Sequence, residues 1–135
     1  MDIYVSDYIL GEGAKKGILE ESLEKERTVG KIQRMNFKQA VEAGAKITFG
    51  TDAGIFPHGD NKKQFKYMVE WGMTPLQAIQ AATMNTSELF GLSNIGQLQE
   101  GFIADIIGVK GNPLEDITLL ESVTFVMKEG EVILQ

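Results

Sequence analysis

The sequence predicts an α/β chain of two textures: helices around one central strand over the first two thirds, and β structure over the last third. Three observations carry this. Apolar residues return at helical spacing across 14–43 and again across 61–90. Between them a short run, Lys46-Ile47-Thr48-Phe49, ends directly in Gly50-Thr51-Asp52-Ala53-Gly54. After Gly91 the apolar residues scatter among glycines, and 123–127 and 131–134 flank Lys128-Glu129-Gly130 as the arms of a β-hairpin would.

Taken in order, 3–10 alternates loosely, holds two tyrosines and reads as extended, broken by Gly11-Glu12-Gly13. Residues 14–43 read as one or two helices. Ile18, Leu19 and Leu23, then Ile32, Met35, Ala40 and Val41, form the inner stripe, and Gly30 is a candidate break. Gly44 closes the pattern, as glycine often does after a helix. Residues 61–70 return to helical spacing through Phe65, Met68 and Val69. Thr74-Pro75-Leu76-Gln77 is the clearest local signal: a capping threonine, proline at the first helical position, and Gln77 to complete a capping box. A short helix over 86–90 ends at Gly91. Leu98, Phe102, Ile106, Ile107 and Val109 follow, with turns at Glu100-Gly101 and Gly111-Asn112-Pro113. Met35, Phe37, Phe65, Met68, Met73 and Met84 fall mostly at helical spacing and read as core.

Composition narrows the chemistry. The 135 residues are room for about one domain. There is no cysteine, so no disulfide framework, thiolate site or cysteine nucleophile. There is one histidine, His58, while a zinc site takes about three or four protein ligands, so a self-contained histidine centre is excluded by counting. The net charge is −6, which favours no nucleic-acid partner. No apolar run approaches the ~20 residues of a membrane span, and Met1-Asp2-Ile3-Tyr4 does not open a signal peptide, so the chain reads as cytoplasmic.

Candidate sites separate quickly. Gly11-Glu12-Gly13-Ala14-Lys15-Lys16-Gly17 resembles a phosphate loop, but its third glycine is one position late and Gly17 is followed by Ile18, so nucleotide binding is rejected. Asn85-Thr86-Ser87 fits a glycosylation triplet, yet helix capping is the better reading where a helix starts. Asp52 is different. A carboxylate at the carboxyl end of a strand, between glycines, sits where α/β folds gather their chemistry. From these residues alone a turn-forming aspartate reads equally well. His58, six residues on in the polar loop His58-Gly59-Asp60, reads by itself as exposed.

The motif order says more. Phe49-Gly50-Thr51-Asp52-Ala53-Gly54 is followed by Pro57-His58-Gly59-Asp60-Asn61, Gly72-Met73-Thr74-Pro75-Leu76-Gln77-Ala78 and Ala81-Ala82-Thr83-Met84-Asn85. Then come Gly96-x-Leu98-x-x-Gly101-x-x-Ala104-Asp105-Ile106, Gly111-Asn112-Pro113-Leu114 and Phe125-Val126-Met127-Lys128-x-Gly130. Together these resemble the C-terminal part of the metal-dependent amidohydrolase superfamily, in its imidazolonepropionase-related and Xaa-Pro dipeptidase-like branch.

The resemblance implies a fold: the C-terminal end of a (β/α)₈ TIM barrel, its last strand and helices over 1–92, with closing strands of a small β-sandwich over 93–135. It makes 46–49 the eighth barrel strand and Asp52 the catalytic acid, lying against one or two divalent metal ions, zinc first. Asp52 is then both metal ligand and proton relay in C–N bond hydrolysis of a dipeptide or cyclic amide. His58 is the substrate-binding loop histidine. The family's other ligands, paired histidines after the first strand, the lysine of the fourth and the histidines of the fifth and sixth, belong to segments this chain does not contain; Met1 falls just after the seventh strand. The expectation is a fragment without a metal centre of its own and inactive alone. The rival is a non-enzymatic orphan domain or one half of a split enzyme. Either way, unpaired strand edges call for a homo-oligomer or the missing N-terminal portion as partner, with no nucleic acid and no membrane.

Overall fold

The computed structural model describes residues 2–135. Its first element corrects an expectation. Instead of extending, 3–10 coils: α1 spans Val5–Tyr8, a π turn follows over Ile9–Gly13 and a 3₁₀ turn over Ala14–Lys16. Asp2 explains the start, because its Oδ1 accepts from the N–H groups of Tyr4 and Val5, both at 3.0 Å, as helix-initiating aspartates do. The two tyrosines are four residues apart, so one helical turn brings both onto Phe56.

The long helix α2, Glu20–Glu42, runs unbroken through Gly30. The reason for glycine there is contact: a Cβ at Gly30 would lie 2.4 Å from the buried Ser6 hydroxyl and from Glu26. Residue 30 is where Ser6 of α1 lies against α2. The helix ends at Gly44 as expected, with Ala45 N–H bonded to Ala40 C=O and Gly44 N–H to Val41 C=O, a Schellman closure with Gly44 at φ +72°.

Residues 45–52 carry the second correction. The expected strand forms no β ladder; the chain is irregular there. A strand needs neighbours, and no described segment supplies one. Helical groups answer instead: Phe49 N–H donates to Ala81 C=O at 2.9 Å, and the Asn85 side chain donates to Ile47 C=O at 2.9 Å. A 3₁₀ turn over His58–Lys63 leads into α3, Gln64–Glu70. Next come α4, Pro75–Ala82, with the complete Thr74–Gln77 capping box, and α5, Met84–Leu89.

Ile3, Phe37, Met68, Met73, Ala78 and Ala81 make the core, with Ile47, Phe49 and Trp71 packed around it. Two of the expected core methionines do not join: Met35 is 49% exposed and Met84 41%. Beyond Gly91, β1 (Ile106–Val109), β2 (Val123–Lys128) and β3 (Glu131–Leu134) form an antiparallel sheet in that order. Of 98–109 only the last four residues are strand; Leu98 is 84% exposed in a turn-rich stretch. Gly96 lies in that stretch at φ +83°, where a Cβ would lie 3.0 Å from the Thr83 carbonyl group. The hairpin stands as read, turning on Glu129 and Gly130, both at positive φ, which matches the twist of the arms. No helix among the described residues is long and apolar enough to cross a membrane.

Two outcomes follow from this packing. Thr74→Ala removes the acceptor for Gln77 N–H and is expected to cost about 1 kcal/mol in urea unfolding. Asp7 pairs with Arg34, which also lies over the Trp71 ring at 5.7 Å. Burial nevertheless outweighs Arg34 and holds the Asp7 carboxyl above its ordinary value of 3.8. The folded state therefore binds this proton more tightly than the unfolded one, and ionising Asp7 costs stability as pH rises from 3.8 through the raised value. Asp7→Asn cannot ionise, so across that window its unfolding free energy is expected to improve relative to the parent's. A constant difference from pH 3 to 7 would contradict this.

Candidate functional site

Asp52 closes the irregular segment 45–52 and opens a tight turn. Its C=O accepts from Ile55 N–H at 3.2 Å, and Gly54, at φ +120°, donates to Phe56 C=O at 3.0 Å. That turn sends Phe56 inward, where it is 2% exposed and meets Tyr4 edge-on with ring centres 4.7 Å apart. The Asp52 side chain stays exposed. On the other side, its N–H donates to Asp2 Oδ2 at 2.5 Å. The catalytic and metal-ligating candidate is thus a carboxylate on a loop pinned by its backbone.

His58 follows Pro57 at the start of the 3₁₀ turn and is also exposed. The structure puts the two candidates on one loop but joins them by no hydrogen bond among the described residues. The polar centre of that loop is Asp60, which pairs with Lys63 at 3.0 Å and accepts from the Tyr4 hydroxyl at 3.3 Å. Burial pushes the Tyr4 phenol up, against the pull of Lys63. The Asp60 bond in turn raises Lys63.

Asn85, Thr86 and Ser87 do not cap α5 as expected. Asn85 holds the Ile47 carbonyl, the Thr86 hydroxyl donates to Ala81 C=O at 2.7 Å, and the buried Ser87 hydroxyl is shared between the carbonyls of Leu92 and Ile95. Sequence reasoning passed over two residues that shape the site. Asp2 carried no motif. Gln64 sat inside a helical pattern as an ordinary polar residue, although it is fully buried.

A metal needs more than this. Among the described residues no three histidine, cysteine, aspartate or glutamate side chains stand together to hold an ion. A zinc centre takes about three protein ligands. The donors of this chain therefore do not fit a divalent metal by themselves, and what they offer is one presented carboxylate.

Comparison with known proteins places the arrangement. The pattern of the amidohydrolase family matches residues 7–133. Ochratoxinase of Aspergillus niger is 37% identical over 123 residues, 87% of this chain and 25% of that enzyme. Adenine deaminase of Oceanobacillus iheyensis is 33% identical over 79 residues, 58% of this chain and 14% of the deaminase. Among solved structures, a Xaa-Pro dipeptidase with methionine bound in its active site superposes on 98% of this chain, with TM-score 0.88 and 42% identity, using 33% of its own length. A prolidase complexed with N-methylphosphonate-L-proline superposes on 99%, with TM-score 0.87 and 27% identity, using 34% of its length. The chain thus spans a quarter of the ochratoxinase and a third of these structures. On the match across 7–133, the chain belongs to the amidohydrolase family.

Proposed function

We propose that these residues are the C-terminal part of a longer hydrolase that cleaves a C–N bond, in a dipeptide or a cyclic amide, with Asp52 as its proton relay. The observation that carries the reading is the superposition on the Xaa-Pro dipeptidase over 98% of the chain, with Asp52 presented on a loop whose backbone is fixed. On this reading 1–92 closes a (β/α)₈ barrel and 93–135 completes a β-sandwich. A divalent metal, zinc first, belongs to the complete site, and its remaining donors come from segments outside the 135 residues.

The chemistry asked of Asp52 balances simply. Water adds to the amide carbonyl carbon as one of its protons passes to an Asp52 carboxylate oxygen. The C–N bond then breaks as that proton moves on to the leaving nitrogen. An exposed carboxylate on a short tether between glycines can serve both moments without the backbone moving. On this reading His58, exposed on the same loop, is the residue that meets the substrate.

Partners belong to the reading too. Val132, Ile133 and Leu134 of β3 are 46%, 63% and 48% exposed, and β3 is an edge of the sheet. We propose that this edge pairs with the rest of the protein or with a second copy. Sedimentation equilibrium of the isolated chain is expected to show self-association; a monomer at all concentrations would overturn self-pairing.

The functional test uses the full-length enzyme. Asp52→Asn keeps the loop's shape but cannot relay a proton, and is expected to lower kcat roughly 10²–10⁴-fold. The isolated chain is expected to release no proline from Xaa-Pro dipeptides. Parental kcat in Asp52→Asn would refute the role given to this residue.

A further inference from the structure

Gln64 has no access to solvent, and a buried carboxamide is tolerated only when hydrogen-bonded. This one is bonded at both ends. Its Oε1 accepts from Ile3 N–H at 3.1 Å and from Tyr4 N–H at 2.9 Å. Its Nε2 donates to Gly50 C=O at 3.3 Å. Tyr4 N–H is shared with Asp2 Oδ1, and Asp2 Oδ2 accepts from Asp52 N–H. The bonds close a ring, from Gly50 through Gln64, Tyr4 and Asp2 to Asp52, and back along the backbone through Thr51.

We propose that Gln64 is a positioning residue for the Asp52 carboxylate, acting through this ring; the proposal rests on the proton-relay reading of Asp52. Among the described residues the backbone over 50–52 has no strand beside it; the Ile55 N–H bond holds the Asp52 carbonyl from the turn, and the bonds of the ring hold the stretch from the other side. Gln64 holds one end of the three-residue stretch and Asp2 the other. Tyr4 N–H is their common point. The site demands an amide, because it needs an acceptor for two N–H groups and a donor to a carbonyl in one side chain. Glutamate keeps the acceptor but sets an oxygen against the Gly50 carbonyl. Methionine matches the length and offers neither.

Amide hydrogen exchange on the 135-residue chain, read residue by residue by NMR, tests the ring directly. In Gln64→Met the Asp52 amide is expected to exchange roughly tenfold faster or more, a local opening, while Phe37 in α2 is unchanged. Gln64→Glu is expected to loosen Asp52 while Ile3 and Tyr4 stay protected. In the full-length enzyme, Gln64→Met is expected to lower kcat roughly 10–100-fold, with KM within about threefold, since misplacing a reacting group costs the chemical step more than binding. Should Gln64→Met not fold, Asp2→Asn decides. That residue is only half-buried, and the change removes the acceptor for Asp52 N–H alone. Unchanged Asp52 exchange, or unchanged kcat, in the deciding variant overturns the proposal. Parental kcat in Asp52→Asn overturns the relay reading instead, while the exchange result still judges the ring.

Discussion

Every buried peptide group must find a partner, and the irregular segment 45–52 finds its partners outside any sheet. Three side-chain amides and carboxylates stand in for the missing ladder. Asn85 takes the Ile47 carbonyl, Gln64 takes the Gly50 carbonyl, and Asp2 takes the Asp52 N–H. Between them, Phe49 N–H reaches the carbonyl of Ala81. These bonds come from α5, α3, the first residues and α4 in turn, so the helical layer is organised around satisfying one stretch of backbone.

That constraint orders the core. With Phe49 tied to Ala81, α4 must lie close, and its contact face carries only small residues, Ala78 and Ala81, both fully buried. Ile47 and Phe49 then meet Phe37 of α2 and Met68 of α3 in one cluster. Phe49 and Phe65 meet with ring centres 4.6 Å apart and planes tilted by 37°, which joins the segment to α3 just beside Gln64. Polar bonds fix the segment's register and apolar contacts fix its depth. Neither alone would do both.

This division decides what was legible in the sequence. Periodicity found α2, α3 and α4, and turn chemistry found the capping box and the Glu129-Gly130 hairpin, because each depends on residues within a few positions of one another. The 46–49 run looked like a strand for sound local reasons, but a strand is a property of pairs. The 3–10 segment misled for the converse reason: Asp2 bonds the amides of Tyr4 and Val5 and starts a helix whose residues alternate only by accident. Asp52 stood out because glycines marked its loop. Gln64 and Asp2 did not, since their role lies in bonds spanning about fifty or sixty positions, and nothing local announces such a bond. Met35 failed as a core residue because the buried stripe of α2 runs through Gly30, Arg34, Phe37 and Val41, and Met35 lies off it.

Loop shape and chemistry are separable in this molecule. The hydrogen bonds described around the Asp52 turn, to Asp2, from Ile55 and through Gly54 to Phe56, are internal to the chain. Phe56 then anchors the turn against Tyr4 and Tyr8. The turn that carries the carboxylate is therefore held by bonds and ring contacts from within the chain. The donors for a metal are not gathered by those same forces. A catalytic group must be held in place before it can act, because effective catalysis needs reacting atoms placed to within about half an ångström. The ring of hydrogen bonds through Gln64, Tyr4 and Asp2 fixes the backbone from which the Asp52 carboxylate extends.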